Sequence, residues 1–214
     1  MPRRHVRLAA DRRALREELA DVRRELKIPA EFPAPALAEA RAAAASPPRP
    51  ELDLTDVPFV TIDPPGSMDL DQALHLSRSG HGFVVRYAIA DVASFVRPGG
   101  PLDAETHRRG VTYYGPDSRA PLHPAELCEG AASLLPGQDR AALVWEIRLD
   151  SSGDVTGDPL VRRALVRSTA KLSYDSVQRD LDSGTAGEML ELLPVIGRLR
   201  QDLERTRGTI QPLG

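Results

Sequence analysis

The sequence predicts an α+β protein: a mainly antiparallel sheet with flanking helices, preceded by an N-terminal helical arm. Short β-branched segments alternate with turn-forming residues between residues 57 and 167, which is typical of strands joined as hairpins. Leucines recur at helical spacing on both sides of that region. The 214 residues are 41% hydrophobic, and adding the 16 glycines gives about 48%, which is typical of folded globular proteins; the net charge is −3. This charge gives no sign of a polyanionic partner, although local fields matter more than totals.

Residues 1–50 form the first predicted domain, a basic helical arm with a Pro/Ala-rich linker. It has eleven basic and seven acidic residues. Its helical spacing predicts an amphipathic helix with a narrow apolar stripe: Leu15, Leu19, Val22 and Leu26. A short second helix is predicted at 35–45. We expect the stripe to pack on the second predicted domain, residues 51–214; contact of the basic arm with nucleic acid is the alternative.

Two strands flank a tight turn near the start of the second domain. The segment 59–62 is apolar and β-branched, and it ends at Asp63, where Pro-Pro-Gly predicts a turn. The segment 69–76 has period two, which puts its leucines on one face of a strand and Asp69 and Asp71 on the other.

The later elements are predicted from turn signals and helix terminators. The segment 101–109 begins at a proline and stops before Gly110, which is typical of a helix. The proline-rich segment 116–136 predicts a long, ordered but irregular loop. The remaining strands are predicted at 83–90, 141–149 and 155–167. The remaining helices are predicted at 174–181 and 186–205.

The aspartates around the first turn are the candidate catalytic residues. Asp63, Asp69 and Asp71 lie within nine residues, and the turn can fold the first back toward the other two. Clustered carboxylates repel one another unless a cation is present, and oxygen ligands suit Mg²⁺ or Mn²⁺ better than zinc or copper. A calcium EF-hand loop starting at Asp69 fails, because its sixth and twelfth positions are Leu74 and Gly80. The alternative to a cation site is that these aspartates are solvent-exposed loop residues that cap turns.

Further motifs occur in a fixed order along the chain: Phe59-Val-Thr-Ile-Asp63, Asp69-Leu-Asp71-Gln-Ala73, Ile89-Ala-Asp-Val92, Phe95-Val-Arg-Pro-Gly99, Arg108-Arg109-Gly110, Tyr114-Gly-Pro116, Pro121-Leu-His-Pro124 and Ala132-Ser-Leu-Leu-Pro-Gly137. Together they resemble the catalytic domain of the ribonuclease II family, the RNB domain, over about residues 59–208. The resemblance implies a partial RNB-type catalytic domain that is C-terminally incomplete.

The resemblance also implies an activity and its residues. It implies a hydrolytic, Mg²⁺-dependent exoribonuclease that degrades single-stranded RNA from the 3′ end and releases 5′-mononucleotides. The family's catalytic and metal-binding aspartates correspond to Asp63, Asp69 and Asp71. Gln72 replaces a fourth aspartate, and we expect its amide oxygen to be a weaker metal ligand. Tyr114 matches a tyrosine that stacks on an RNA base, and we expect Arg109 to line the RNA path.

The remaining expectations concern partners and location. The single Cys128 excludes an internal disulfide, and we expect no disulfide-linked partner. The sequence has no apolar run of membrane-spanning length, so we expect a cytoplasmic protein without membrane contact. A non-catalytic RNA-binding or interaction remnant of an RNB protein is the alternative function. An unrelated phosphohydrolase is a third, with a phospho-aspartate phosphatase disfavoured because a proline turn precedes the aspartate pair.

Overall fold

The computed structural model describes residues 12–208, which form two compact units. The first unit comprises 12–39 and 97–124, and the second comprises 40–96 and 125–208. The predicted division of the chain at residue 50 stays a prediction. No helix among the described residues is both long and apolar enough to cross a bilayer.

The helices and strands follow one another in an order that mixes both types. In chain order they are α1 (Arg12–Glu25), α2 (Ala34–Ala45), β1 (Asp53–Ile62), β2 (Gln72–Ser79), β3 (Gly82–Ala90), a 3₁₀ turn (Val92–Phe95), α3 (Pro101–Arg109), β4 (Tyr113–Tyr114), β5 (Arg119–Ala120), a short π-type helix (Glu126–Ala131), β6 (Asp139–Leu149), β7 (Leu160–Leu172), α4 (Tyr174–Ser183) and α5 (Glu188–Thr206).

The first unit is mostly helical, with the two-stranded pair β4–β5. Helix α3 has the predicted bounds, because Pro101 fits the first turn and Gly110 adopts a φ of 74° just after the last residue. Helices also form at both predicted places in the arm. Val22 and Leu26 are exposed, so the expected packing of the whole apolar stripe is not observed at its C-terminal half.

The second unit is built on a closed barrel with the strand order β1-β2-β3-β6-β7. Four neighbouring pairs are antiparallel, whereas β1 and β7 pair in parallel and close the barrel. The α+β class is confirmed. The predicted, mainly antiparallel sheet is corrected in one respect: it closes into a barrel, because its first and last strands, β1 and β7, pair in parallel.

The interior of the barrel is a cluster of mostly small and β-branched side chains around Phe59 and Leu70. A second cluster lies where α5 covers the β2–β3 hairpin and contains Leu76, Leu192 and Ile196. The alternation predicted over 69–76 is confirmed only within β2, where Leu74 and Leu76 pack in the second cluster and Ala73 in the barrel interior. It is wrong for the aspartate pair, which lies in the turn before β2.

Two other predicted elements differ from the structure. Strand β7 starts at Leu160, five residues later than predicted, because a turn with an isolated bridge occupies the residues before it. The predicted irregular segment 116–136 contains β5 and the short π-type helix. The C-terminal helices form as predicted, and Ser173 caps α4 by accepting a hydrogen bond from the Ser176 amide at 3.1 Å.

Candidate active site

A pocket of about 230 Å³ on the second unit contains the predicted aspartates. Its lining includes four residues that the sequence analysis selected and two tyrosines that it missed: Asp63, Asp69, Asp71, Gln72, Tyr87 and Tyr174. The turn from Asp63 to Asp71 supplies the three carboxylates, β3 supplies Tyr87, and Tyr174 begins α4.

Both ends of this turn are fixed to strands by backbone hydrogen bonds. The Asp63 amide donates to the Leu172 carbonyl at the end of β7, with N···O 3.0 Å. The Ala90 amide, at the end of β3, donates to the Asp71 carbonyl at 2.8 Å. The barrel therefore fixes the backbone of the first and last aspartates of the cluster.

The buried hydroxyl of Ser133 holds the backbone on both sides of Asp69. Ser133 is 1% exposed, and its Oγ accepts from the Leu70 amide at 3.0 Å and donates to the Met68 carbonyl at 2.6 Å. The Leu134 amide donates to the Leu70 carbonyl at 2.9 Å. Because the backbone on either side of Asp69 is tied down, its carboxylate emerges from a fixed point of the turn.

The pocket concentrates negative charge, and the pKa values of Asp63 and Asp71 are raised. Loss of hydration raises the pKa of Asp63, and the nearby Asp69 carboxylate raises it further, while Lys171 opposes the rise. The pKa of Asp71 is also raised, first by loss of hydration and then by Asp69 and Asp63. The three carboxylates therefore repel one another, so a positive charge in the pocket would be stabilised.

Gln72 is engaged with a neighbouring tyrosine. The Tyr87 hydroxyl donates to the Gln72 amide oxygen. Loss of hydration and the charge of Asp63 raise the pKa of Tyr87, which keeps the phenol protonated and able to donate. The expected role of Gln72 as a metal ligand stays a prediction, since an amide oxygen has two lone pairs and this hydrogen bond uses one of them.

The donors suit a divalent cation in chemistry and in location, but they do not form a ready-made metal site. Hard carboxylate oxygens that share one pocket are the ligands Mg²⁺ and Mn²⁺ prefer. Among residues 12–208, no group of three His, Cys, Asp or Glu side chains is arranged to hold a metal ion as it stands. The backbone of the turn is fixed, so closer approach of these carboxylates would come from side-chain rotation.

The other two predicted site residues belong to the first unit. Tyr114 lies in β4 and is 76% exposed, so its ring is available for stacking. Arg109 is only 2% exposed, and its guanidinium donates to Glu105 at 2.8 Å and to the Glu31 carbonyl at 2.8 Å. The ring of Phe32 lies 3.6 Å from the guanidinium carbon. Arg109 is therefore a structural residue, and the expectation that it contacts RNA is corrected.

Sequence reasoning missed Tyr87, Tyr174, Ser133 and Lys171. The hairpin pattern could have revealed Tyr87. Counting residues back from the hairpin turn pairs Tyr87 with Leu74, which lies two residues after Gln72 and so places Tyr87 near the candidate site. The other three come from distant parts of the chain, and no local pattern links them to the turn.

Comparisons with known proteins agree with this fold. The family model of the RNB domain matches residues 51–211. Exoribonuclease 2 of Psychromonas ingrahamii is 34% identical over 131 residues, which are 61% of this chain and 20% of that protein. Ribonuclease R of Escherichia coli is 39% identical over 127 residues, 59% of this chain and 16% of that protein. The chain thus spans at most about a fifth of the length of these curated relatives.

A solved structure shows the same architecture. Mycoplasma genitalium RNase R, in complex with ribose-methylated single-stranded RNA, superposes with a TM-score of 0.78 at 26% identity. The match covers 89% of this chain and 31% of that one.

Proposed function

This chain belongs to the RNB-domain family, and on that premise we propose that it is the metal-binding part of a hydrolytic exoribonuclease. The proposed substrate is single-stranded RNA, degraded from its 3′ end to 5′-mononucleotides. One observation carries the proposal: three mutually repelling carboxylates on a turn with a fixed backbone line one pocket. Such a pocket favours a divalent cation and, with it, a phosphodiester.

The proposed ligands of the cation, Mg²⁺ or Mn²⁺, are Asp63, Asp69 and Asp71. When bound, a divalent cation neutralises phosphate charge and lowers the pKa of water, which is the chemistry that phosphodiester hydrolysis needs. The chain's own contribution is to hold the carboxylates: β7 and β3 fix the ends of the turn, and Ser133 fixes its middle.

Two aromatic groups complete the proposal. Tyr87 keeps the Gln72 amide in place through its hydroxyl, which leaves the amide nitrogen as a donor toward the pocket. Tyr114 presents an exposed ring, and we assign it a base-stacking role, which tolerates any RNA sequence.

The test is hydrolysis of single-stranded RNA, labelled at the 3′ end in one reaction and at the 5′ end in another, with Mg²⁺. Labelled mononucleotide should appear at once from the 3′-labelled RNA and only late from the 5′-labelled RNA. Asp71→Asn should lose at least about a hundredfold in kcat, since it removes one carboxylate from the cation site.

The Asp71→Asn variant is expected to fold as well as the natural chain, because the change removes charge repulsion from the pocket. Its circular dichroism spectrum and melting temperature serve as the control for folding. Full activity of Asp71→Asn, or absence of mononucleotide release by the natural chain, would contradict the proposed hydrolysis.

A second candidate, an RNA-binding protein without turnover, is favoured by one specific observation. Among the described residues, the carboxylates are not arranged as a ready-made metal site. This function predicts RNA binding whose logarithmic affinity falls linearly with the logarithm of salt concentration, and no mononucleotide at any Mg²⁺ concentration.

A further inference from the structure

The ammonium group of Lys171 reaches the turn that carries the aspartates. Lys171 lies near the end of β7, where the parallel pairing with β1 puts it opposite Thr61. Its Nζ donates to the Pro65 carbonyl at 2.7 Å and to the Ser67 carbonyl. Both carbonyls belong to the turn between the first two aspartates, so one side chain of β7 holds that turn at two points.

The turn has few hydrogen-bond donors with which to hold its own shape. Pro64 and Pro65 have no backbone N–H. One internal hydrogen bond of the turn runs from the Ser67 amide to the Pro64 carbonyl, with N···O 3.0 Å. The Pro65 and Ser67 carbonyls take their donor from Lys171, since an ammonium group offers three donors and no acceptor.

The type of residue at this position is also informative. Of the 28 Lys and Arg residues in the chain, only Lys27 and Lys171 are lysines. A guanidinium is a wide planar fork, whereas an ammonium is a compact charge whose donors can converge on two nearby carbonyls. The chain thus departs from its arginine bias at a place where the geometry favours a compact cation.

We propose that Lys171 is a positioning residue that sets the spacing of Asp63 and Asp69 by holding the turn between them. Lys171 also puts one fixed positive charge beside the carboxylates. It touches the backbone of the turn, and we assign it no contact with RNA. The proposal rests on the proposed function in its Mn²⁺-binding and activity measurements, whereas the acetylation rates are independent of it.

The first test uses the natural chain and the chemical reactivity of its amines. Limited acetylation followed by peptide mass spectrometry compares the two lysines within one sample. Lys171 should react about tenfold more slowly than the exposed Lys27, because two charge-assisted hydrogen bonds must break before its nitrogen can attack. Equal rates for the two lysines would overturn the proposal.

The second test measures binding of Mn²⁺, used as the probe cation, by electron paramagnetic resonance. Lys171→Met should weaken Mn²⁺ binding about tenfold, because the loss of the two hydrogen bonds that set the turn outweighs the removal of a positive charge that repels the cation. Lys171→Arg should restore part of that loss by supplying donors in a less suitable geometry. Lys27→Met removes the other lysine of the chain and is the matched control, with unchanged Mn²⁺ binding.

Melting curves separate positioning from a general structural role. A Lys171→Met variant that melts earlier but binds Mn²⁺ as the natural chain does would overturn the proposal. If Lys171→Met does not fold, the acetylation rates decide, since equal reactivity of the two lysines contradicts the proposed role.

Activity on single-stranded RNA is the third measurement. In Lys171→Met, kcat should fall about tenfold with KM changed less than about twofold, because the turn and not the RNA contact is disturbed. If the natural chain hydrolyses no RNA, the proposed function fails, while acetylation and Mn²⁺ binding still decide the role of Lys171.

Discussion

Arg109 shows how a single residue of the right type can serve a structural role. Its guanidinium is buried with Glu105, whose side chain is 4% exposed, and both lie on α3. The hydrogen bond from Arg108, followed by that from Arg109, lowers the pKa of Glu105, although burial opposes the change. A buried pair of this kind tolerates the loss of neither partner, because the other charge would remain buried alone.

Glu105→Gln should therefore destabilise the protein by about 3 kcal/mol, measured by urea unfolding at pH 7. Glu126→Gln is the control: it removes a carboxylate paired with Arg41 at a surface position, and a loss below about 1 kcal/mol is expected. Equal losses in the two variants would contradict a buried role for Glu105.

The pH dependence of this pair follows from the lowered pKa of Glu105. A group whose pKa is lowered on folding stabilises the protein above its unfolded pKa, about 4.3, and loses that contribution as the pH falls through the folded value. The difference in stability between the natural chain and Glu105→Gln should shrink below about pH 4.3. A difference that grows in acid would contradict the assignment.

At the scale of elements, the connection between β6 and β7 holds α5 against the barrel. Gly153 has a φ of +83°, and an added Cβ would lie 2.7 Å from the Cβ of Leu199 on α5. Arg200 of the same helix donates to the Gly153 carbonyl at 3.1 Å. The close approach of backbone and helix therefore requires glycine for two reasons: the positive φ and the lack of space.

Gly153→Ala should cost about 3 kcal/mol of stability, because backbone strain adds to a clash with α5. Gly157→Ala in the same connection isolates the first effect: its φ is +70° with nothing within 4 Å of the added carbon. This control should lose only about 1 kcal/mol. Thermal unfolding of both variants measures the difference, and equal losses would show that α5 does not press on Gly153.

At the scale of the whole molecule, the carboxylate pocket links cation binding to folding. Repulsion among Asp63, Asp69 and Asp71 lowers the stability of the cation-free protein at neutral pH, because the raised pKa values of Asp63 and Asp71 favour the protonated forms. A cation that binds the folded state and not the unfolded chain shifts the equilibrium toward folding.

Mg²⁺ or Mn²⁺ should therefore raise the melting temperature of the natural chain. At a hundred times the dissociation constant the gain is about 2.7 kcal/mol, or roughly 5 to 10 °C for a chain of this size. Asp71→Asn should gain much less from the cation and should melt no earlier than the natural chain in EDTA. An equal gain in both proteins would place cation binding elsewhere.

The local features of this protein can be predicted from its sequence. The ends of α3 follow from Pro101 and Gly110, and the turn before the aspartate pair follows from Pro-Pro-Gly. Caps, turns and periodicity depend on residues a few positions apart, so they are readable without the fold. The three aspartates were found for the same reason, since they lie within one turn.

The surroundings of that turn depend on long-range contacts that the sequence pattern does not predict. The parallel pairing of β1 with β7 brings Lys171 to a turn more than a hundred residues earlier in the chain, and Ser133 reaches it from another segment. Arg109 was expected to contact RNA, but it is buried and donates a hydrogen bond to Glu105. These outcomes depend on which distant strands close the barrel and which charges are buried together. The pairing of distant strands and the burial of charges are set by loop closure and by core packing of the whole chain. A short stretch of neighbouring residues does not contain that information.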